Sequence, residues 1–395
     1  MTSEEKKQAT PHEEQLDSLL KEPYEQVMVR ENSLGAELRR SLGGAPVLFG
    51  CGALGRIALA GLRGAGVEPL AFADNHPLRW GTALDGLPVL SLAEAIDRFG
   101  DRVPVVVTIY TGAEVEGKLR RLGLRVLTFP QLALMHPQAL LPWLALDLPS
   151  RMCDQAARVR QAFSLWADEE SRREYVAQVH FRSTLAGPLP AHLPAEQTYF
   201  PSELVELKRD EVFVDCGAFD GDSVLALLRR TGGWVGGVVA IEADAQNGAK
   251  LREQMSRLPK AVATKIEIVQ AAVGAENGTL RFRSTGTVTS TAAEGQGTVE
   301  VPRRRLDDLL NKRNATYIKM DIEGAEPSAL EGCRLVIEQH APVLAICLYH
   351  RQSDLWEIPL QIRAMTDRYQ FFLRRYSDDC WEQILYAIPK DRVRR

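Results

Sequence analysis

The sequence predicts an α/β protein with two parallel-rich sheets and a helical connector between them. Three observations carry that prediction. Short apolar runs alternate with charged, helical segments in two separate blocks. Each block contains a strand that runs directly into a glycine turn, VLFGCGALGR from Val47 and VFVDCGAFDGDS from Val212. Between the blocks, from about residue 131 to 205, the strand signal disappears.

Residues 1–45 are charged and amphipathic and read as a helical extension. Residues 46–135 read as a small Rossmann-like domain. Its strands are VLF, PLAFAD ending at Asp74, VPVVVTI and LRVLTF, separated by helices. The segment NHPLRWGTALDGLPVL reads as a loop, and SLAEAIDRF as a helix capped by Ser91, with Glu94 completing a capping box. Residues 136–205 form the connector, charged first and proline-rich later, with aromatics such as Trp166, Tyr175 and Tyr199 that need burial. Residues 206–390 form the second domain. Strands are expected at 212–216, 237–242, 265–270, 316–320, 343–347, 371–375 and 383–388, the last two as an antiparallel pair. A Gly-, Ser- and Thr-rich stretch between Asn277 and Pro302 reads as a β-hairpin, either a plain surface hairpin or a cover for a site.

Composition narrows the functional classes. At 395 residues the chain holds about two domains. Hydrophobic content of 45% and charged content of 25% are those of an ordinary globular protein. A formal net charge of −4 gives no electrostatic case for nucleic-acid binding. The six cysteines are scattered without a C-x-x-C pair, which suggests neither a zinc site nor a disulfide framework. The N-terminus lacks the apolar core of a secretory signal, and prolines and charges interrupt the most apolar stretch, Leu132 to Leu148. The expectation is a cytoplasmic protein without a membrane span.

The second block carries the stronger chemistry. Asp215 ends the first strand, and Gly217, Ala218 and Asp220 form the turn where a ligand approaches the backbone. Glu242, followed by Ala243, ends the second strand about 20 residues beyond the turn, the position of an acid that holds ribose hydroxyls. Gln270 and Ala271 end the third strand, where an adenine would lie. A lone acid at a strand end is usually a helix cap or a solvated loop residue. With Asp321 after the strand YIKM, three acids stand at the carboxyl ends of three strands and form a pattern, because ligands of open α/β sheets bind there. The turn DCGAFDGD carries three acids and would repel pyrophosphate. That charge favours a phosphate-free, zwitterionic nucleoside such as S-adenosylmethionine over NAD or ATP.

Together VFVDCGAFDGDS, VVAIEAD, RRRLDDLL, YIKMDIEGAEPSALEG and APVLAICLYHRQSDLWEIPLQI resemble the FkbM-type family of S-adenosylmethionine-dependent methyltransferases. The closing YQFFLRRYS and LYAIP segments look like that family too. The resemblance spans most of residues 199–390. It implies a class I Rossmann-like methyltransferase domain and, in most cases, O-methylation of a hydroxyl on a sugar or small-molecule acceptor. Its cofactor positions map onto Asp215, Gly217 and Glu242. Its D-x-E-G-x-E segment maps onto Asp321, Glu323, Gly324 and Glu326. Methyl transfer is an in-line displacement that needs help in removing the hydroxyl proton. Candidates for that task are Asp321, Glu323, His350 and Asp354. Alternatively Asp321, Glu323 and His350 bind a divalent cation. The bland reading of Glu323 and Glu326 is that they open a helix and complement its dipole. Lys319 is a candidate for a purely structural ion pair with one of the acids.

The first block offers a second nucleotide site. Gly50, Gly52 and Gly55 have G-x-G-x-x-G spacing, and Asp74 ends the following strand. This segment resembles the small Rossmann-type domain of nucleotide-sugar-modifying enzymes. That resemblance implies either a bound nucleotide-sugar or a homodimer interface. Arg79 and Trp80 suit a phosphate and a base, although Trp80 equally suits a packing role. A rival reading is an NAD-dependent oxidoreductase or epimerase working from this fingerprint. It predicts a Y-x-x-x-K pair, and none is convincing. A non-enzymatic rival is a nucleotide-binding scaffold that has lost catalysis.

Overall fold

The computed structural model describes residues 10–110, 112–185, 189–283, 291–292, 299–311 and 313–394. The chain divides into two compact units. The first comprises Met1–Arg160, Arg173–His192 and Ser377–Trp381. The second comprises Gln161–Arg172, Leu193–Tyr376 and Glu382–Arg395.

In the first unit the N-terminal extension forms two helices, Pro11–Leu19 and Tyr24–Leu42. Six strands follow: β1 Val47–Phe49, β2 Ala71–Ala73, β3 Ala83–Leu84, β4 Leu87–Leu90, β5 Pro104–Val107 and β6 Arg125–Thr128. Their order is β3-β4-β2-β1-β5-β6, and every pairing except β3–β4 is parallel. Val47, Phe49, Ala73, Val105, Val107 and Val126 supply the buried side chains of one face. The segment expected as a loop differs from that expectation, because it holds the β3–β4 hairpin. Asp85 and Gly86 form its turn with φ of 49° and 86°, and an Asp-Gly pair readily adopts two such left-handed residues. Ser91 caps the next helix, and a capping box with Glu94 forms.

Residues 136–205 do not behave as one connector. They are largely helical through Glu169–Thr184, yet the two units share them. Local burial of the aromatics is the reason. The Tyr175 hydroxyl donates to Val159 O at 2.8 Å within the first unit. Trp166 is buried in the second unit, where it bridges to Phe371.

The second unit contains β7 Val212–Cys216, β8 Gly237–Glu242, β9 Ile266–Gln270, β10 Ala272–Val273, β11 Gly278–Arg283, β12 Thr291–Ala292, β13 Val299–Arg304, β14 Tyr317–Met320, β15 Val343–Cys347, β16 Tyr369–Arg375 and β17 Gln383–Pro389. Its main sheet has seven strands in the order β16-β17-β15-β14-β7-β8-β9. The five strands from β15 to β9 run parallel, and β17 is antiparallel to both of its neighbours. The central strands are buried along almost their whole length because both sheet faces are covered. A smaller sheet, β10-β13-β11-β12, contains the expected hairpin as the β11–β13 pairing. Most of the segment between those two strands lies outside the described residues.

The carboxyl edge of the parallel strands collects side chains because β7 and β14 are adjacent. Register pairs Asp215 with Lys319 and Cys216 with Met320, so the loop from Asp321 begins beside the turn from Gly217. Gly217 has a φ of 82°, and a Cβ there would lie 1.9 Å from the Asp321 carbonyl oxygen. Only glycine permits that approach.

Candidate active site

The glycine turn is built by backbone hydrogen bonds. The N–H groups of Gly217 and Ala218 both donate to Ile241 O at 3.0 Å. Phe219 N–H donates to Glu242 Oε2 at 2.8 Å, and Asp244 N–H donates to Glu242 Oε1 at 2.8 Å. Burial raises the Glu242 carboxyl, and these two N–H groups partly offset the effect. Each of its oxygens still has a lone pair, as a diol acceptor requires. Asp244 caps the next helix by accepting from Gln246 and Asn247 N–H. Asp220 and Ala243 are half-buried at the lip of the turn. Gln270 Oε1 accepts from Arg252 at 3.2 Å. Gln270 and Ala271 line an open groove of about 510 Å³ together with Asn277, Arg304 and Asp308.

Asp215 is fully buried and faces the ammonium of Lys319 at 3.0 Å. The same ammonium donates to Gly217 O at 2.7 Å and lies 5.0 Å from the centre of the Tyr199 ring. Burial pushes the Asp215 carboxyl up to about 6, against the pull of Lys319. Burial opposes the charge on Lys319 too, but Asp215 and Asp321 keep it protonated. This arrangement gives Asp215 a buried ion pair with Lys319, and the carbonyl of the glycine turn shares the same cation.

Asp321 is held from three sides. It accepts from the Tyr199 hydroxyl at 2.7 Å and the Tyr349 hydroxyl at 3.4 Å, and it faces His350 Nε2 at 3.3 Å. Burial opposes its charge, yet Lys319, His350 and the Tyr199 hydroxyl hold its carboxyl below the usual range. His350 Nδ1 lies 2.8 Å from Glu326 Oε1, which also accepts from Ile322 N–H. Glu323 is 4.0 Å from His350 Nε2. Burial lowers the imidazole pKa, but Glu326, Asp321 and Glu323 together push it up to about 10. His350 is therefore an imidazolium at neutral pH, flanked by carboxylates at both nitrogens. Burial pushes Glu323 up to about 7 and raises Asp354. Ligand-capable atoms of Asp321, Glu326 and His350 lie within 4.8 Å of one another. Glu326, which opens the helix Glu326–Glu331, stands in that cluster where the sequence suggested Glu323, and among the described residues Glu323 approaches only His350.

Two residues at this edge escaped sequence reasoning. Tyr199 has a φ of 64°, and the Tyr317 hydroxyl pins its carbonyl while the Tyr386 hydroxyl accepts its N–H at 3.1 Å. Glu382, on the residue before β17, has a φ of 54° and a carboxyl that burial pushes up to about 7. A tyrosine in a proline-rich loop and a glutamate before a strand give no local signal.

In the first unit Asp74 accepts from Cys51 N–H at 3.1 Å and His76 N–H at 2.8 Å, and it pairs with Arg79 at 3.0 Å. Trp80 Nε1 donates to Asp74 O at 2.7 Å, with 40% of the residue exposed. Gly50 has a φ of 111°, and a Cβ on Gly55 would lie 2.1 Å from Gly50 O. Gly52 faces open space at the start of the helix Ala53–Gly64.

A mostly parallel seven-stranded sheet whose last strand, β17, is inserted antiparallel beside the edge, with a glycine turn after β7 and an acid closing β8, is the Rossmann-like fold of methyltransferases. Residues 215–375 match the model of the methyltransferase FkbM domain. A crystal structure of methyltransferase FkbM from Methylobacillus flagellatus KT shares the fold over 92% of this chain and 100% of that one, with 24% identity and a TM-score of 0.72. An rRNA methylase from Streptococcus thermophilus matches 49% of this chain and 94% of its own, at 10% identity and a TM-score of 0.32. UDP-D-quinovosamine 4-dehydrogenase from Vibrio fischeri matches 24% of this chain and 86% of its own, at 21% identity and a TM-score of 0.20. These two likenesses are too slight to bear on function. No curated protein matches the chain. Among the described residues no helix is long and apolar enough to cross a membrane.

Proposed function

We propose that the protein transfers a methyl group from S-adenosylmethionine to a hydroxyl of a sugar, nucleotide-sugar, glycan or natural-product acceptor. The observation that carries this reading is the close packing of the Gly217 turn against the Asp321 carbonyl, which joins a nucleoside-binding turn to a cluster of acids. Glu242 accepts the ribose hydroxyls. The backbone from Gly217 to Asp220 follows the methionine part, and Gln270 and Ala271 border the adenine. Asp321 stays ionised because Lys319 and His350 face it, and it holds the reacting edge negative where a sulfonium docks. His350 acts as the cation between Asp321 and Glu326. A magnesium or manganese ion held by Nε2 with Asp321 and Glu323 would take the place of that proton and acidify the hydroxyl.

The test is methyl transfer from labelled S-adenosylmethionine to UDP-, TDP- and GDP-sugars and simple glycosides, run with and without a chelator. Product carrying one added methyl ether is expected. Transfer to a nitrogen or carbon acceptor alone overturns the reading. Full activity after exhaustive chelation removes the metal arm and leaves the imidazolium arrangement.

A further inference from the structure

The acids at the carboxyl edge of the second unit's sheet differ in what their oxygens already hold. Asp215 faces Lys319. Glu242 accepts two backbone N–H groups. Asp321 accepts two tyrosine hydroxyls, and Glu326 accepts Ile322 N–H and faces His350. Asp354 accepts Arg351 N–H at 2.8 Å. Among the described residues, no side-chain or backbone donor reaches the Glu382 carboxylate. It is half-buried, so it keeps a path to solvent and to a ligand.

Glu323 shares the half-burial and the left-handed backbone, but its carboxylate already turns to His350 Nε2 at 4.0 Å, and position distinguishes Glu382 from it. Cys347 pairs with Ile384, and Leu348 N–H donates to Gln383 O at 2.9 Å. That antiparallel register sets Glu382 beside Tyr349, whose hydroxyl reaches Asp321. The electrostatic neighbours of Glu382 are Asp321, His350, Lys319 and Asp222. Its φ of 54° is left-handed, and the Tyr376 N–H to Glu382 O hydrogen bond of 3.1 Å holds it there. A left-handed glutamate carries backbone strain that glycine would avoid. Tyr199, Phe219 and Glu323, at the same edge, are left-handed as well. Strain concentrated at one sheet edge points to function there.

We propose that Glu382 is the carboxylate that meets the acceptor hydroxyl and receives its proton. This rests on the methyltransferase reading above. The acceptor oxygen forms a bond to the methyl carbon. The carbon–sulfur pair returns to sulfur and leaves a neutral thioether, and the hydroxyl proton passes to Glu382. Atoms and charge balance without a further reactant.

The experiment compares Glu382→Gln and Glu382→Gly with the unmodified chain in three measurements. Calorimetry with S-adenosylmethionine should show unchanged affinity in both variants. The thermal midpoint of Glu382→Gly should stay level or rise, because glycine relieves the left-handed strain. Transfer to the best hydroxyl acceptor of the sugar panel should lose about 100-fold or more in kcat. Undiminished kcat, weakened S-adenosylmethionine binding or a lower midpoint for Glu382→Gly each overturns the proposal. If the unmodified chain methylates nothing in the panel, the acceptor class fails instead. The midpoint and calorimetry then decide whether Glu382 is structural.

Discussion

The two glycine turns of this chain use one backbone device and end in different chemistry. In each, an N–H of the turn donates to the acid that closes the second strand, 23 residues on: Cys51 to Asp74 at 3.1 Å and Phe219 to Glu242 at 2.8 Å. Asp74 then pairs with Arg79 and accepts from His76, so its charge is neutralised locally. Among the described residues Glu242 accepts only backbone N–H groups, and the strands beside it bring Lys319, Asp321 and His350 to the same edge. The turn and its acid are therefore an architectural unit. The other strand ends decide what chemistry that unit can support.

The largest expected effect comes from removing the buried cation of the second turn, whose counterpart in the first turn, Arg79, is half exposed. Lys319→Met leaves Asp215 buried without its partner and should cost about 3–5 kcal/mol of stability, read in the transition that S-adenosylmethionine shifts upward. A loss below about 1 kcal/mol would show that Asp215 is not held as a charge. Next in size is a paired substitution. Glu242→Ala should weaken S-adenosylmethionine binding by about 100-fold, the equivalent of about 2–3 kcal/mol. Asp74→Ala should leave that affinity where it was. Equal losses in both would erase the distinction between the turns. The smallest effect is a change in pH profile. His350 has a folded pKa of about 10 against an ordinary 6.5, so its contribution is complete below 6.5 and is lost as pH rises through 10. The thermal midpoint should fall across that window, and His350→Gln should flatten the fall. An unchanged slope would mean that the imidazole carries no proton in the folded state.

Much of the second unit was legible because its signals are local. The seven strands lie where apolar runs predicted them, within a residue or two, since central parallel strands are apolar on both faces. The β3–β4 hairpin looks like a loop in the sequence, despite the Asp85–Gly86 turn signal, because its strands are only 2 and 4 residues long. Tyr199 and Glu382 gave no signal because their importance comes from distant partners.

By itself the sequence determined where the strands run, where glycine lets the backbone turn and which acids stand at strand ends. Each of these follows from a few adjacent residues. Only the tertiary structure decided how those acids are used. The β7–β14 register sets Lys319 against Asp215, and the β15–β17 register brings Glu382 beside Tyr349. Pairing between strands far apart in the chain depends on the crossovers between them, and no local pattern of residue types encodes it.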